Sequence, residues 1–329
     1  MSLDRDKSID FAKGIAILSV IFLHVTPEYN NYVLSIVWIG QSVPLFLLIT
    51  GYLTYSGFQK GMTVSVYYSK KSIMKMLHRI FIPFFITTLA LCVLYYFFHD
   101  LSIKKVLRVG GIGPGSYYPW LYLQFWIVLP FIIKIIDTFS IRKSLSIFII
   151  VSIILEYITC VINLDPETYR LLFYRYILVV ALGCYIRKLN INNITVLILI
   201  LAITSLGFSI VETYSNIDFK PFFIDLWKGY HWITAFYPMF LFILIRIIYR
   251  ETEKGLFLKK FFEVLGKYSY EIFLCQMLIF SVTSIRQLKF IGNTYIETGL
   301  YICGTTIMSI APILFYKLWL KKYIRPSSI

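Results

Sequence analysis

The sequence predicts an all-α integral membrane protein of about ten transmembrane helices in one bundle, with both termini in the cytoplasm. Three observations lead to this fold class. Of the 329 residues, 58% are apolar and 15% are charged, whereas soluble domains contain about half apolar and about a quarter charged residues. Apolar stretches of membrane-spanning length recur along the chain, and Lys and Arg collect on one side of the resulting topology. This composition excludes a soluble enzyme.

Ten apolar stretches approach the roughly 20 helical residues that cross a bilayer core of about 30 Å. Most are apolar on all sides and too long for strands, and several contain Gly or Pro, which membrane helices tolerate. The sixth is short and the ninth begins with mixed polarity. The predicted spans are residues 12–28, 34–57, 80–98, 118–136, 144–163, 171–186, 194–211, 230–249, 268–285 and 298–316.

The distribution of Lys and Arg sets the predicted orientation. With a cytoplasmic N-terminus, 23 of the 32 Lys and Arg residues fall on the cytoplasmic side of the ten spans. The net charge of +15 therefore indicates a membrane protein with a basic inner face, and no nucleic-acid partner is expected. The N-terminal run MSLDRDKSIDFAK has no small-residue cleavage site after it, which favours a retained first helix over a signal peptide.

The chain is expected to form one transmembrane domain over residues 1–329, since no internal repeat or long linker divides it. Its five cysteines lie singly in apolar runs without metal-ligand spacing, so no metal site is expected. Membrane lipids are the expected surroundings, and the pattern does not indicate an oligomeric state. The longest outer loops, residues 99–117 and 212–229, could cover or receive an external substrate.

The first span carries two polar residues that point to chemistry. Lys13 and His24 are eleven residues apart, which at about 100° per residue puts them on one helical face, about 16 Å apart along the axis. Lys13 would then lie at the cytoplasmic edge and His24 near or beyond the middle of the bilayer. A buried neutral imidazole could act as a general base, or it could tie two helices together by a hydrogen bond. The helix alone leaves both interpretations open.

This span resembles the start of the acyltransferase 3 family of integral membrane O-acyltransferases, which has a basic residue, ten further residues and then His. The run DFAKGIA, residues 10–16, carries this resemblance and continues to His24, and later segments follow in the family's order. These segments are VPLFLLITGYL with Thr50, Gly51 and Tyr52; KKSIMKMLHRIFIPFF with Arg79 and Pro83; PWLYL with Trp120; and LGKYSYEIFLCQ with Gly266, Ser269, Tyr270 and Leu274. The resemblance covers nearly the whole chain, and its specificity comes from the order of the segments.

The sequence departs from the family pattern in three ways. Lys13 replaces the commoner Arg and conserves the charge. The paired arginines before the third span appear as Lys75 and Arg79 at altered spacing, and the late His is Gln276. The last two departures affect the expected donor contacts and the role of the ninth span, whereas His24 matches.

The resemblance implies transfer of an acyl group, with acetyl the expected one, from cytoplasmic acyl-CoA (acetyl-CoA) to a hydroxyl of a cell-surface glycan or its glycolipid precursor. It implies a location in the bacterial cytoplasmic membrane. His24 and Lys13 become the catalytic candidates, with His24 as the base in direct transfer or in a route through an acyl-enzyme intermediate. Lys13, Lys75 and Arg79 become candidates for binding the phosphates of coenzyme A. Lys70 and Lys71 could do the same or contact anionic lipid.

Five further residues are weaker candidates for substrate binding: Trp120, Glu156, Arg175, Ser269 and Tyr270. Trp120 could stack on a sugar face. Glu156, a carboxylate deep inside a span, could orient His24 or pair with Arg175 across helices. Arg175 could meet an acidic sugar or extend to the membrane surface.

Two other functions remain open on this pattern. A transporter or flippase of a lipid-linked glycan or small solute could use His24, Glu156 and Arg175 as substrate or proton-relay sites. A catalytically inactive relative could serve as an assembly partner, which would agree with Gln276 in place of the family His. The spacing of Lys13 and His24 and the inner basic cluster favour the acyltransferase, because transport does not require them.

Overall fold

The computed structural model describes residues 6–25, 33–98, 106, 109–215, 217, 219–220, 222–223, 231–253, 256–282 and 294–323. The described residues are mostly helical and contain no strand. The helices are α1 (Lys7–Val25), α2 (Val33–Val37), α3 (Ser42–Gln59), α4 (Val64–Tyr67), α5 (Lys70–Met76), α6 (Ile82–Phe98), α7 (Tyr118–Thr138), α8 (Ile141–Val161), α9 (Pro166–Leu171), α10 (Ile177–Lys188), α11 (Val196–Tyr214), α12 (Phe236–Glu251), α13 (Phe257–Lys267), α14 (Ser269–Val282) and α15 (Thr294–Tyr323). Three 3₁₀ turns, Ile39–Gln41, Phe173–Tyr176 and Trp232–Ala235, precede α3, α10 and α12.

Seven helical segments of the described chain are long and apolar enough to cross a membrane. They are Lys7–Val25, Ser35–Gln59, Lys70–Tyr96, Tyr118–Thr138, Ile141–Val161, Val196–Tyr214 and Trp232–Glu251. Two shorter apolar stretches, Ser269–Ser281 and Gly299–Ala311, fall in the predicted ninth and tenth spans. The all-α membrane fold is thus confirmed, while the count of ten spans and the cytoplasmic termini stay predictions.

The predicted sixth span, residues 171–186, is a short core helix. Its counterpart α10 has 12 residues, about 18 Å, and ten of its side chains are buried. A Cβ at Gly183 would lie 2.0 Å from the carbonyl oxygen of Leu48, and one at Gly51 would lie 2.2 Å from that of Val180. The backbones of α3 and α10 therefore touch, as small residues permit between membrane helices.

Helix α13 was not among the predicted spans, since residues 257–267 carry several lysines and fall between two of them. It packs along the first half of α1 at a pair of glycines. A Cβ at Gly14 would lie 2.0 Å from the carbonyl oxygen of Phe262, and one at Gly266 would lie 1.6 Å from that of Asp10. This contact brings the start of α14, which follows directly, close to the first half of α1.

Candidate functional site

A cavity of about 500 Å³ lies between segments that are far apart in sequence. Lys13 and His24 of α1 both line it, in agreement with their predicted position on one helical face. The other walls come from α3, a π-helical turn that joins α5 to α6, the loop before α7, the residues around α9, and the start of α14. The two ends of this cavity differ in the residues that line them.

One end, here called the Lys13 end, is lined by Lys13, Arg79, Ser269 and Tyr270. The glycine contact between α13 and α1 places the start of α14 beside Lys13. The hydroxyl of Tyr270 then donates a hydrogen bond to the carbonyl oxygen of Ile80 at 2.6 Å, which joins α14 to the segment that carries Arg79. The structure therefore brings four sequence-predicted residues to one place.

Arg79 lies in a π-helical turn, Leu77–Phe81, within an otherwise continuous helical segment. Such turns are frequent at functional sites because they redirect side chains. Arg79 stays partly open to the surroundings while it lines the cavity. Lys75, four residues earlier, is exposed and lies outside the cavity lining, as do Lys70 and Lys71.

The remaining lining includes His24, Gly113, Tyr117, Arg170 and Arg175, and this part is here called the His24 end. Tyr117 and Arg175 lie just before the starts of α7 and α10, and the opposite ends of these two helices are joined by the ion pair of Asp137 with Lys188. That ion pair lies on the side of the bundle where α1 begins, because Arg246 pairs with Asp6 and, like Arg187, lies over the ring of Tyr52.

The His24 ring lies 5.8 Å from the ring of Phe280, and the next residue, Ser281, is the nearest neighbour of a Cβ placed on Gly113. This contact sets the loop before α7 against the same part of α14 that contacts His24. Tyr117 ends that loop, and its ring lies 5.0 Å from the guanidinium of Arg170.

The charge of the cavity wall is of one sign. Lys13, Arg79, Arg170 and Arg175 are its charged side chains, and no Asp or Glu occurs among the described residues that line it. A concave site with this lining attracts anions. Burial raises the pKa of the Tyr117 hydroxyl above its usual value, and the nearby Arg175 and Arg170 partly offset this rise. The hydroxyl is therefore protonated at neutral pH and can donate a hydrogen bond.

Trp120 lies outside the cavity lining. Its indole nitrogen donates to the carbonyl oxygen of Gly110 at 2.6 Å. Its ring packs edge-on against Phe81, Phe84 and Phe85. The side chain therefore holds the loop before α7 against α6, and the structure does not bring it to the other candidate residues.

Glu156 also lies outside the cavity lining, in a buried cluster with His231 and Glu212. Nδ1 of His231 pairs with the Glu156 carboxylate and Nε2 with that of Glu212. The three residues are 2–4% exposed and join α8, α11 and the turn before α12. The sequence did not predict His231 as the partner of Glu156. The available signal was that all three residues are polar groups within or beside apolar spans, where such groups usually pair.

We expect His231→Ala to destabilise the protein strongly, because two buried carboxylates would lose the imidazole between them. Removing one partner of a buried ion pair typically costs about 3–5 kcal/mol. The melting temperature of the purified protein should fall well below that of wild type, and His78→Ala, at an exposed histidine outside the cavity, is the control. Equal melting temperatures for the two variants would show that the cluster contributes little to stability.

Comparison with protein families gave one match, to the family Acyl_transf_3, described as an acyltransferase domain, over residues 6–317. Neither the curated proteins nor the solved structures that were compared gave a match. The matched range includes every residue of the cavity wall and all seven candidate spans. The chain therefore belongs to the acyltransferase 3 family of membrane proteins.

Proposed function

We propose that the protein is a membrane-embedded O-acyltransferase that moves an acyl group, with acetyl the expected one, from acyl-CoA to a hydroxyl of a cell-surface glycan or its lipid-linked precursor. The observation that carries this proposal is that one cavity is lined by Lys13, Arg79 and His24 in a chain of this family. In the proposed orientation, the Lys13 end faces the bacterial cytoplasm and the His24 end faces outward.

The Lys13 end supports binding of the donor. Lys13 and Arg79 can form charge-assisted hydrogen bonds with the phosphates of coenzyme A, and a planar guanidinium suits phosphate particularly well. The cavity volume of about 500 Å³ is that of a small-molecule site, so the narrow pantetheine arm and the acyl group are the parts expected inside. The nucleotide would remain at the entrance, where the exposed Lys75 could contact it.

His24 is the proposed base for the transfer step. The neutral imidazole takes the proton of the acceptor hydroxyl while the hydroxyl oxygen attacks the thioester carbonyl carbon. The new ester bond forms, the bond between the acyl carbon and the sulfur breaks, and the proton passes to the departing coenzyme A thiolate. The acyl-enzyme alternative adds one covalent intermediate and gives the same balance of atoms.

The test is acyl transfer by the full-length protein in proteoliposomes. Acetyl-CoA labelled in the acetyl group is supplied with the glycan fraction of cells that produce the protein. We expect the label to appear in the glycan as an ester that mild base releases. Movement of the glycan across the bilayer without incorporation of label would support the transporter and contradict the acyltransferase.

The same assay checks the donor site. Lys13→Gln and Arg79→Gln should each raise the KM for acetyl-CoA about 10- to 100-fold, which corresponds to one lost hydrogen bond to a charged group. Lys143→Gln is the matched control, because Lys143 is exposed and lies outside the cavity. A KM that stays at the wild-type value in both variants would contradict the assignment of this end to the donor.

A further inference from the structure

We propose that the His24 end of the cavity binds an anionic group of the acceptor, a carboxylate or a phosphate, through Arg175 with Arg170 beside it. This inference rests on the proposed acyl transfer, because the acceptor hydroxyl must come to His24. It names a class of acceptor: a glycan with acidic sugars, or a sugar carried on a polyprenyl pyrophosphate.

Arg175 is built into the wall of the cavity. The residue is 8% exposed and lines the cavity, and it lies in the 3₁₀ turn Phe173–Tyr176 beside the buried Tyr176. Its guanidinium carbon lies 5.3 Å from the ring centroid of Tyr169 and 5.0 Å from that of Tyr176. Two aromatic faces thus orient the guanidinium, and an oriented guanidinium favours bidentate contacts with carboxylate or phosphate.

Two acidic residues, Glu156 and Glu167, lie near the two arginines but outside the lining of the cavity. Glu156 lies near Tyr169, as Arg175 does, and its carboxylate pairs with His231. Glu167 forms an ion pair with Arg170 at 2.8 Å, but its side chain is 43% exposed and outside the cavity lining. The described residues that line the cavity include four Lys or Arg side chains and no carboxylate, and a concave wall of this composition favours an anionic ligand.

The distance between the two ends of the cavity separates the donor from the arginines at the His24 end. Lys13 and His24 are about 16 Å apart along α1, and the arginines of α9 and the following 3₁₀ turn lie at the His24 end. A donor whose phosphates bind at the Lys13 end carries a neutral acyl group at its other end. The arginines at the His24 end therefore fit the second substrate better than they fit the donor.

The test measures binding and transfer with defined acceptor probes in proteoliposomes of the full-length protein. The probes are a hexuronic acid oligosaccharide, a neutral oligosaccharide of the same length, and a neutral sugar on polyprenyl pyrophosphate. Binding is measured without acetyl-CoA, so this readout does not depend on catalysis. Transfer is then measured with labelled acetyl-CoA, which gives a separate KM for each substrate.

We expect Arg175→Gln to weaken binding of an anionic probe about 10- to 100-fold and to raise its KM by a similar factor. The KM for acetyl-CoA should stay unchanged, and Arg175→Lys should have a smaller effect than Arg175→Gln. Arg142→Gln, at an exposed arginine outside the cavity, is the control. Weaker binding of the hexuronic acid probe would identify a sugar carboxylate as the source of the charge. Weaker binding of the polyprenyl pyrophosphate probe would identify the lipid pyrophosphate.

Equal binding of neutral and anionic probes, with no effect of Arg175→Gln, would overturn the inference even if acyl transfer occurs. A raised KM for acetyl-CoA alone would also overturn it, because the arginine would then serve the donor. Absence of transfer with all three probes would count against the proposed function, while the binding data would still test the anion site. If Arg175→Gln does not fold, Arg170→Gln and competition by free glucuronate or inorganic pyrophosphate against the wild type give the same comparison.

Discussion

Replacement of His24 by Gln should lower the rate of acyl transfer by about 10²- to 10⁴-fold, which is the usual contribution of a positioned general base. Glutamine can still donate and accept hydrogen bonds at this place, but it cannot take up a proton at neutral pH. The KM for acetyl-CoA should change little, since His24 lies at the end of the cavity away from Lys13 and Arg79.

This variant separates the two interpretations of His24 that the sequence leaves open. If the histidine only ties helices together, glutamine can keep the hydrogen bond and the rate should remain near that of wild type. The control is His78→Gln, because His78 is exposed and outside the cavity, and it should retain full activity. The measurement is the initial rate of labelled acetyl transfer, normalised to the amount of folded protein in the proteoliposomes.

Gly266→Ala should unfold or markedly destabilise the protein, although it adds only one methyl group. A Cβ at this position would lie 1.6 Å from the carbonyl oxygen of Asp10 and 2.8 Å from the amide nitrogen of Gly14. Both neighbours are backbone atoms, so no rotamer change relieves the clash, and α13 must move away from α1. Overpacking of this kind costs about 1–3 kcal/mol or more.

The matched control for that substitution is Gly207→Ala in α11, where a Cβ would meet no atom within 4 Å. There the change should be neutral or slightly stabilising, since alanine is the better helix former by about 1 kcal/mol. Melting temperatures and the fraction of monodisperse protein after purification provide the comparison. A Gly266→Ala protein that melts with the wild type would contradict the close contact of α13 with α1.

The helical spans were predictable because each is an apolar run long enough to cross a bilayer, and this property can be seen in the local sequence. The common face of Lys13 and His24 follows from the helical period alone, and both residues line one cavity. Helix α13 was not predicted because it has only 11 residues and several of them are charged, so it does not resemble a span. Helix α10 has 12 residues, and a short helix buried inside a bundle is as apolar as a membrane-spanning one, so composition alone does not distinguish the two.

The partners of polar groups were harder to foresee than the helices. Glu156 could be identified as a carboxylate within a span, but its pairing with His231 depends on how α8 packs against the turn before α12. Trp120 was a candidate for stacking on a sugar, and the structure shows that its indole nitrogen donates to the backbone of Gly110. Contacts of this kind join segments distant in sequence, so no local pattern encodes them.

The most direct test of the account is transfer between separated compartments, because the central claim is that one cavity joins a donor at its Lys13 end to an acceptor at its His24 end. The acceptor glycan is sealed inside proteoliposomes, and labelled acetyl-CoA is added only outside. We predict that label appears on the enclosed glycan with wild type and is absent with His24→Gln. Label on glycan only when both substrates share one compartment would contradict the claim.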